Sequence, residues 1–203
     1  VGRENSGLGS STHGDAVAAP SAGLAPIQRR ALAAQANVRP AWTLVGGAAL
    51  AGHGLLHRTT RDLDVFWHEQ DRLDERGRAC EAALRAAGLS VEVIQGSMAF
   101  RRLRVADGSD VVVVDLVAEP GRTVDPPELM DVDGSTVRVA TRHDLLVDKL
   151  CALLGRSEVR DLVDVHALLQ AGGDLDRALR AAPLRDAGFS PLTLAWVLRR
   201  LPV

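Results

Sequence analysis

A chain of 203 residues is long enough to bury one sizeable core, alone or with a small helical appendage, and too short for two unrelated full domains. Apolar residues make up 46% and charged residues 25%, which excludes a disordered chain, and no apolar run is long enough to span a bilayer. The net charge of −2 gives no overall attraction for nucleic acid, so an RNA partner would need a local basic patch. No secretory signal is evident, so we expect a cytoplasmic protein with no membrane partner.

The first 25 residues are rich in Gly, Ser, Ala and Pro without apolar periodicity, and we expect them to form a flexible leader outside the fold. The following patterns predict, in chain order, a helix from Pro26, a strand over Trp42–Val45, a helix to about Leu56, a strand over Asp62–Trp67, and a helix from about Gln70 to Ala87. Glycine breaks end the first strand and the last helix of this series.

The rest of the chain changes from strands to helices. Strands are predicted over Val91–Ile94, Ala99–Val105 and Val111–Val117. A proline-containing loop is then expected to lead to a short strand over Val137–Ala140, and helices are predicted over Thr141–Leu154, Glu158–Leu169 and part of the remainder. This order predicts an α/β (α+β) protein in which a mixed sheet flanked by helices, over residues 26–140, precedes a helical subdomain over residues 141–203. Cys80 and Cys151 fall on predicted helices and are expected to be free thiols.

Two carboxylates open the second predicted strand. Because side chains alternate along a strand, Asp62 and Asp64 project to the same face and their oxygens converge. Mg²⁺ prefers oxygen ligands, and a cation would relieve the repulsion between the two carboxylates. The pair therefore predicts a divalent-metal site, although an isolated Asp-x-Asp triplet is more often an exposed loop or a helix cap.

A glycine pair, Gly46-Gly47, lies between a predicted strand and a predicted helix just upstream. Backbone N–H groups without side chains can approach a phosphate, and the start of a helix favours an anion. Alone, such a pair is more often a tight turn. Together with the Asp-x-Asp strand it predicts an anion cradle beside a metal site, which a nucleoside triphosphate requires.

A third acid, Asp115, interrupts the β-branched run Val111–Val117. A carboxylate in such a strand is costly to bury unless it is paired or binds a metal. We favour Asp115 as a third metal ligand, since a two-metal site needs about three carboxylates, and the alternative is an outward residue of an edge strand.

Two separate sequence motifs resemble motifs of the nucleotidyltransferases of the AbiEii/AbiGii toxin group, within the DNA polymerase β-like superfamily, and they occur in the same order as in that group. The first comprises Val45–Leu50 and Arg58–Val65, and the second comprises Lys149 and Arg160–Asp164. The resemblance covers roughly Trp42 to Leu169 and implies a nucleotidyltransferase-like sheet. It implies metal binding by Asp62 and Asp64, and a nucleotide site formed by Gly46, Gly47, Arg58, Thr60, Lys149 and Asp161. The chain departs from the group in having Gly-Gly where many of these toxins have Gly-Ser, and in its short helical tail.

Lys149 is the only lysine among 24 basic residues. It borders the apolar stripe of the first tail helix, and Asp161 and Asp164 share one face of the next. A turn at Gly155 would fold these helices antiparallel and bring the lysine near an acid. Two interpretations stay open: a compact cation aimed at phosphate, or an interhelical salt bridge with no catalytic part.

The resemblance implies an enzyme that moves a nucleoside monophosphate from an NTP to an acceptor hydroxyl and releases pyrophosphate, with Mg²⁺ or Mn²⁺ as cofactor. It also implies a toxin that acts on RNA, with tRNA as the acceptor and an antitoxin protein as a possible partner. Two alternatives remain, namely transfer to a small molecule such as an antibiotic, and a catalytically silent nucleotide-binding module.

Overall fold

The computed structural model describes residues 17–18, 23–55 and 60–200. The helices are α1 (Pro26–Gln35), α2 (Gly46–Gly52), α3 (Glu75–Ala86), α4 (Arg142–Arg156), α5 (Val159–Gln170), α6 (Leu175–Arg185) and α7 (Pro191–Leu198). The strands are β1 (Val17–Ala18), β2 (Thr43–Val45), β3 (Asp62–His68), β4 (Ser90–Gly96), β5 (Phe100–Asp107), β6 (Asp110–Glu119), β7 (Glu128–Val132) and β8 (Ser135–Val139).

One mixed sheet organises the described residues. Its strands lie in the order β1, β7, β8, β2, β3, β6, β5, β4. The central pair, β3 and β6, is parallel, whereas β2 and β5 run antiparallel to the strands they flank. This arrangement confirms the predicted α/β class with a mixed sheet flanked by helices.

The alternation of β3 divides the sheet into a core face and an open face. Leu63, Val65 and Trp67 are at most 2% exposed, and the Trp67 indole donates a hydrogen bond to the Pro40 carbonyl. The residues between them project to the opposite face. The same strand therefore secures the core with one set of side chains and presents polar groups with the other.

α4 joins the helical part to the sheet. Thr141 caps the helix and accepts a hydrogen bond from the Asp144 N–H at 3.1 Å, as the sequence predicted. The leucines Leu145, Leu146 and Leu150 are buried in the same hydrophobic cluster as the sheet. Each contributes about 1.5–3 kcal/mol by burial, so α4 is an integral wall of the core.

Two segments differ from the prediction. Residues 1–25 were expected to lie outside the fold, but Val17–Ala18 pairs with β7 and Leu24 is buried. A two-residue strand is held by backbone hydrogen bonds and has no side-chain period to detect. β7 was predicted as a proline-containing loop, and it instead forms a hairpin with β8.

Both cysteines are free thiols, as predicted. Burial raises the pKa of Cys80 and the pKa of Cys151 to about 12, so neither is a reactive thiolate. No helix in the described ranges combines the length and the apolar character needed to cross a membrane.

Candidate active site

A cleft of about 390 Å³ separates the open face of the sheet from α4 and α5. The side chains that line it come from the start of α2, from β3, β5 and β6, and from the helical tail. The predicted site residues found in its lining are Gly46, Gly47, Thr60, Asp62, Asp64, Asp115 and Lys149. Segments that are far apart in the sequence thus meet in one cleft. Arg58, which was also predicted to belong to the site, lies outside the described residues.

Asp62 and Asp64 share the open face of β3, as the alternation of the strand requires. Asp62 is exposed at the strand's first position, and Asp64 is largely buried opposite Asp115 of β6. Burial, followed by repulsion from Asp115 and Asp62, raises the pKa of Asp64 to about 6. Asp62, Asp64 and Asp115 therefore concentrate negative charge in this part of the cleft.

This pair of carboxylates fits a divalent ion. Mg²⁺ commonly binds through one or two carboxylates together with substrate phosphates and water, and a cation would relieve the repulsion that Asp64 experiences. Within the described ranges, however, His, Cys, Asp and Glu side chains form no group of three with ligating geometry. The chemistry of the donors supports an ion at Asp62 and Asp64 that takes its remaining ligands from substrate or solvent.

Gly46 allows Asp64 to reach the start of α2. Its φ of +65° lies in the left-handed region, and a Cβ placed on it would overlap the Asp64 carboxylate, with Cγ only 2.9 Å away. Any side chain at this position would displace the carboxylate. Gly46 is therefore required by the packing of Asp64, in addition to its predicted contact with phosphate.

We expect Gly46→Ala to reduce the nucleotidyl transfer that the resemblance implies by about 100-fold or more, because displacing a reacting group by 1 Å can have that effect. Gly54→Ala is the matched control. Gly54 also has positive φ, at +71°, but an added Cβ there meets nothing within 4 Å. Both variants carry the backbone strain, of roughly 1–2 kcal/mol, so equal activity in the two would contradict the role of the Asp64 contact. Initial rates and melting temperatures measured together separate the two effects.

Thr60 is positioned from the far side of the sheet. The buried amide of Gln28 in α1 donates a hydrogen bond to the Thr60 carbonyl at 3.2 Å. This contact fixes the backbone just before β3, where Thr60 reaches the cleft. Its predicted contact with the nucleotide stays a prediction.

Asp115 has an arginine partner that sequence analysis did not identify. Arg102 of β5 donates from Nε to Oδ1 at 2.8 Å and from Nη2 to Oδ2 at 2.7 Å. The hydrogen bonds from this forked contact are the main cause of the raised pKa of Arg102. The metal role of Asp115 stays a prediction, because Arg102 now engages both of its oxygens.

Lys149 is 6% exposed and lies between two acids of α5. Its Nζ is 3.0 Å from Asp161 Oδ1 and 2.7 Å from Asp164 Oδ2. Arg156 also binds Asp161, through two hydrogen bonds of 2.7 Å. Burial opposes ionisation of Asp161, but the hydrogen bonds from Arg156 and Lys149 prevail and lower its pKa.

Of the two interpretations of Lys149, the structure shows the ion pair, and a contact with phosphate stays a prediction. Lys149 forms the interhelical ion pair, and with Arg156 it also lines the cleft. Asp161 is fully buried behind these two cations and is not part of the cleft lining. Asp161 is consequently placed to position Lys149 and Arg156.

The side of the cleft beside α6 contains a network of charged residues that the sequence did not predict. Arg185 of α6 is 3.0 Å from Asp144 Oδ1 and 2.8 Å from Asp148 Oδ1. Burial raises the pKa of Asp148 to about 6, and burial together with Arg185 lowers the pKa of His68. His68 could have been found by extending the period-two pattern from Asp62 along β3, whereas no sequence signal identifies Arg185.

Comparisons with solved structures agree with this fold. MenT4, a nucleotidyltransferase toxin from Mycobacterium tuberculosis, is similar with a TM-score of 0.60 and 17% identity over 82% of this chain and 67% of that one. JHP933 from Helicobacter pylori has a TM-score of 0.54 and 17% identity over 86% of this chain and 90% of its own. The antibiotic-resistance factor ANT(2'')-Ia has a TM-score of 0.53 and 16% identity over 79% of this chain and 88% of its own.

No curated protein sequence gives a significant match. The family model described as "Nucleotidyl transferase AbiEii toxin, Type IV TA system" matches residues 30–195, which span every cleft element from α2 to α6. The chain belongs to the AbiEii nucleotidyltransferase toxin family.

Proposed function

We propose that the protein moves a nucleoside monophosphate from an NTP to an acceptor hydroxyl, with Mg²⁺ or Mn²⁺ held by Asp62 and Asp64. One observation carries this proposal. The two carboxylates, the Gly46-Gly47 segment and the cations Lys149 and Arg156 are drawn from distant parts of the chain to the walls of a single cleft. A triphosphate with its metal ion needs both kinds of group at close quarters.

The proposal assigns different roles to the cationic and the acidic residues of the cleft region. The backbone at Gly46 and Gly47 and the cations Lys149 and Arg156 bind and orient the phosphates. Asp161 keeps both cations in place through the contacts described above. This fixed arrangement holds the α-phosphorus toward the acceptor before reaction.

In the reaction the acceptor oxygen bonds to the α-phosphorus, the bond between that phosphorus and the α–β bridging oxygen breaks, and pyrophosphate leaves with that oxygen. The acceptor hydroxyl loses its proton to solvent in the same exchange. When bound at Asp62 and Asp64, a divalent ion supplies positive charge to the phosphate oxygens and to the departing pyrophosphate.

The acceptor we propose is RNA, with tRNA as the first candidate, and the protein would act in the cytoplasm as the toxin of a pair with an antitoxin protein. Membership of a toxin family supports this choice. We further propose that residues 26–140 form the nucleotidyltransferase core and residues 141–203 a helical subdomain that supplies Lys149 and Arg156.

Transfer to a small cationic molecule, such as an antibiotic, is the second candidate. Glu119 and Asp148 add two acids to the cleft beyond Asp62 and Asp64. These two acids attract a cationic acceptor to their part of the cleft, whereas the part lined by Lys149, Arg156 and Arg160 attracts phosphate. The fold similarity to an antibiotic-resistance factor is consistent with this alternative.

The deciding experiment incubates the protein with each α-labelled NTP, Mg²⁺, and either total tRNA or an aminoglycoside. Label on tRNA supports the RNA acceptor, and label on the aminoglycoside alone supports the small-molecule acceptor. Asp64→Asn protein in parallel reactions controls for contaminating enzymes. Absence of transfer to any acceptor, with intact fold by circular dichroism, would contradict the enzymatic proposal and favour a silent nucleotide-binding module.

A further inference from the structure

We propose that Arg102 is the resident counter-ion of Asp115 and that it limits the nucleotide-free protein to one divalent ion, held by Asp62 and Asp64. This inference rests on the proposed metal site and concerns how many ions that site accepts before substrate arrives. Family membership alone does not determine it, because it depends on a cross-strand pair particular to the described fold.

The strand register brings the three groups into one row. Arg102 of β5 is opposite Asp115 of β6, and Asp115 is opposite Asp64 of β3. Cα partners on adjacent strands place their side chains on the same face at about 5 Å separation. A cation and two carboxylates therefore lie side by side on the open face of the sheet.

Arg102 occupies both oxygens of Asp115. The contacts of 2.8 Å from Nε and 2.7 Å from Nη2 form a parallel fork, which fixes the plane of the carboxylate as well as its charge. The Asp115 side chain is 11% exposed, so solvent offers its oxygens little alternative. A second divalent ion at Asp115 would have to approach a guanidinium of like charge that is already in contact.

The three carboxylates also divide into a pair that can bind an ion, Asp62 and Asp64, and a single acid, Asp115, that is bound to Arg102. Asp62 and Asp64 remain available to one ion, while the described part of the chain contains no ligand group of three that would include Asp115. The Arg102 side chain lines the cleft and is 44% exposed, so it can be removed without opening a cavity in the core.

The test counts Mn²⁺ ions bound to the nucleotide-free full chain, by electron paramagnetic resonance titration and calorimetry. Wild type is expected to bind one ion and Arg102→Gln two. Arg104→Gln is the matched control, because Arg104 is exposed two residues along the same strand on the same face. It removes an equal charge without freeing Asp115 and is expected to bind one ion.

The double variant Arg102→Gln/Asp115→Asn should return to one ion, which identifies Asp115 as the ligand of the second. Two ions on wild type, or the same count for Arg102→Gln and wild type, would overturn the inference and leave the metal site intact. If neither wild type nor any variant binds Mn²⁺, the metal site proposed at Asp62 and Asp64 is wrong as well. Failure of the Arg102 inference is thereby distinguished from failure of the metal site. Circular dichroism of each variant verifies the fold.

Discussion

Asp62→Asn and Asp64→Asn are each expected to lower nucleotidyl transfer by about 1,000-fold. The amide keeps the shape of the carboxylate but loses the charge that holds a divalent ion, and such an ion stabilises a transition state by several kcal/mol, where each 1.4 kcal/mol corresponds to about tenfold in rate. Initial rates at saturating NTP and metal measure the effect. Rates of either variant near wild type would contradict the proposed metal site.

The same substitutions should leave the fold intact, with a difference between them. Asp64 is an acid whose pKa is raised to about 6, so above that pH the folded protein carries a charge that its surroundings disfavour. Asp64→Asn is therefore expected to melt at a higher temperature than wild type near pH 8, whereas Asp62→Asn, at an exposed position, should melt like wild type. Asp71→Asn changes an exposed acid outside the cleft and controls for charge. A fall in melting temperature for Asp64→Asn would show that its carboxylate has a structural role.

Lys149→Met is expected to destabilise the folded state by about 3–5 kcal/mol, because two buried carboxylates lose a cation that both of them contact. For a chain of this size that corresponds to a fall in melting temperature on the order of 10 °C. Denaturant titration followed by circular dichroism measures the loss. Arg78→Met is the control, since Arg78 pairs with Glu75 on the surface and its loss should cost less than about 1 kcal/mol.

A double-mutant cycle tests the cause of that loss. Asp164→Asn in the Lys149→Met background removes one of the two acids that lost contact with the lysine and should restore about 1 kcal/mol or more, because groups in one ion-pair network couple by roughly 0.5–3 kcal/mol. A Lys149→Met protein within 1 kcal/mol of wild type would instead show that solvent replaces the lysine.

The sequence predicted those strands and helices in which the buried side chains recur at the regular spacing of the element. The strand expected over Asp62–Trp67 corresponds to β3, and the capped helix expected from Thr141 corresponds to α4. β7 was wrongly predicted as a loop because its five residues directly follow a pair of prolines, although Met130 and Val132 do alternate as buried residues. In a segment this short, with strong turn residues at its ends, too few positions remain for the period-two alternation of a strand to be recognised.

The candidate site was predictable where its residues lie close together in sequence. Asp62 and Asp64 are two apart, and Lys149 and Asp161 lie on helices joined by a short turn, so local geometry predicts their meeting. Arg102 and Asp115 are thirteen residues apart on opposite strands, and their contact depends on a pairing register that a shift of one residue would abolish. Contacts of this kind are fixed by the assembled sheet and have no local signature.

The buried guanidinium of Arg185 has a consequence for how acceptors enter. It ties α6 to Asp144 and Asp148 of α4 and to the Arg122 carbonyl of the loop after β6, so the side of the cleft beside α6 cannot act as a hinge without breaking several of these contacts together. Among the described residues, these contacts favour a fixed width on that side of the cleft. We therefore expect an acceptor that binds beside α6 to fit a space that is already formed before it arrives.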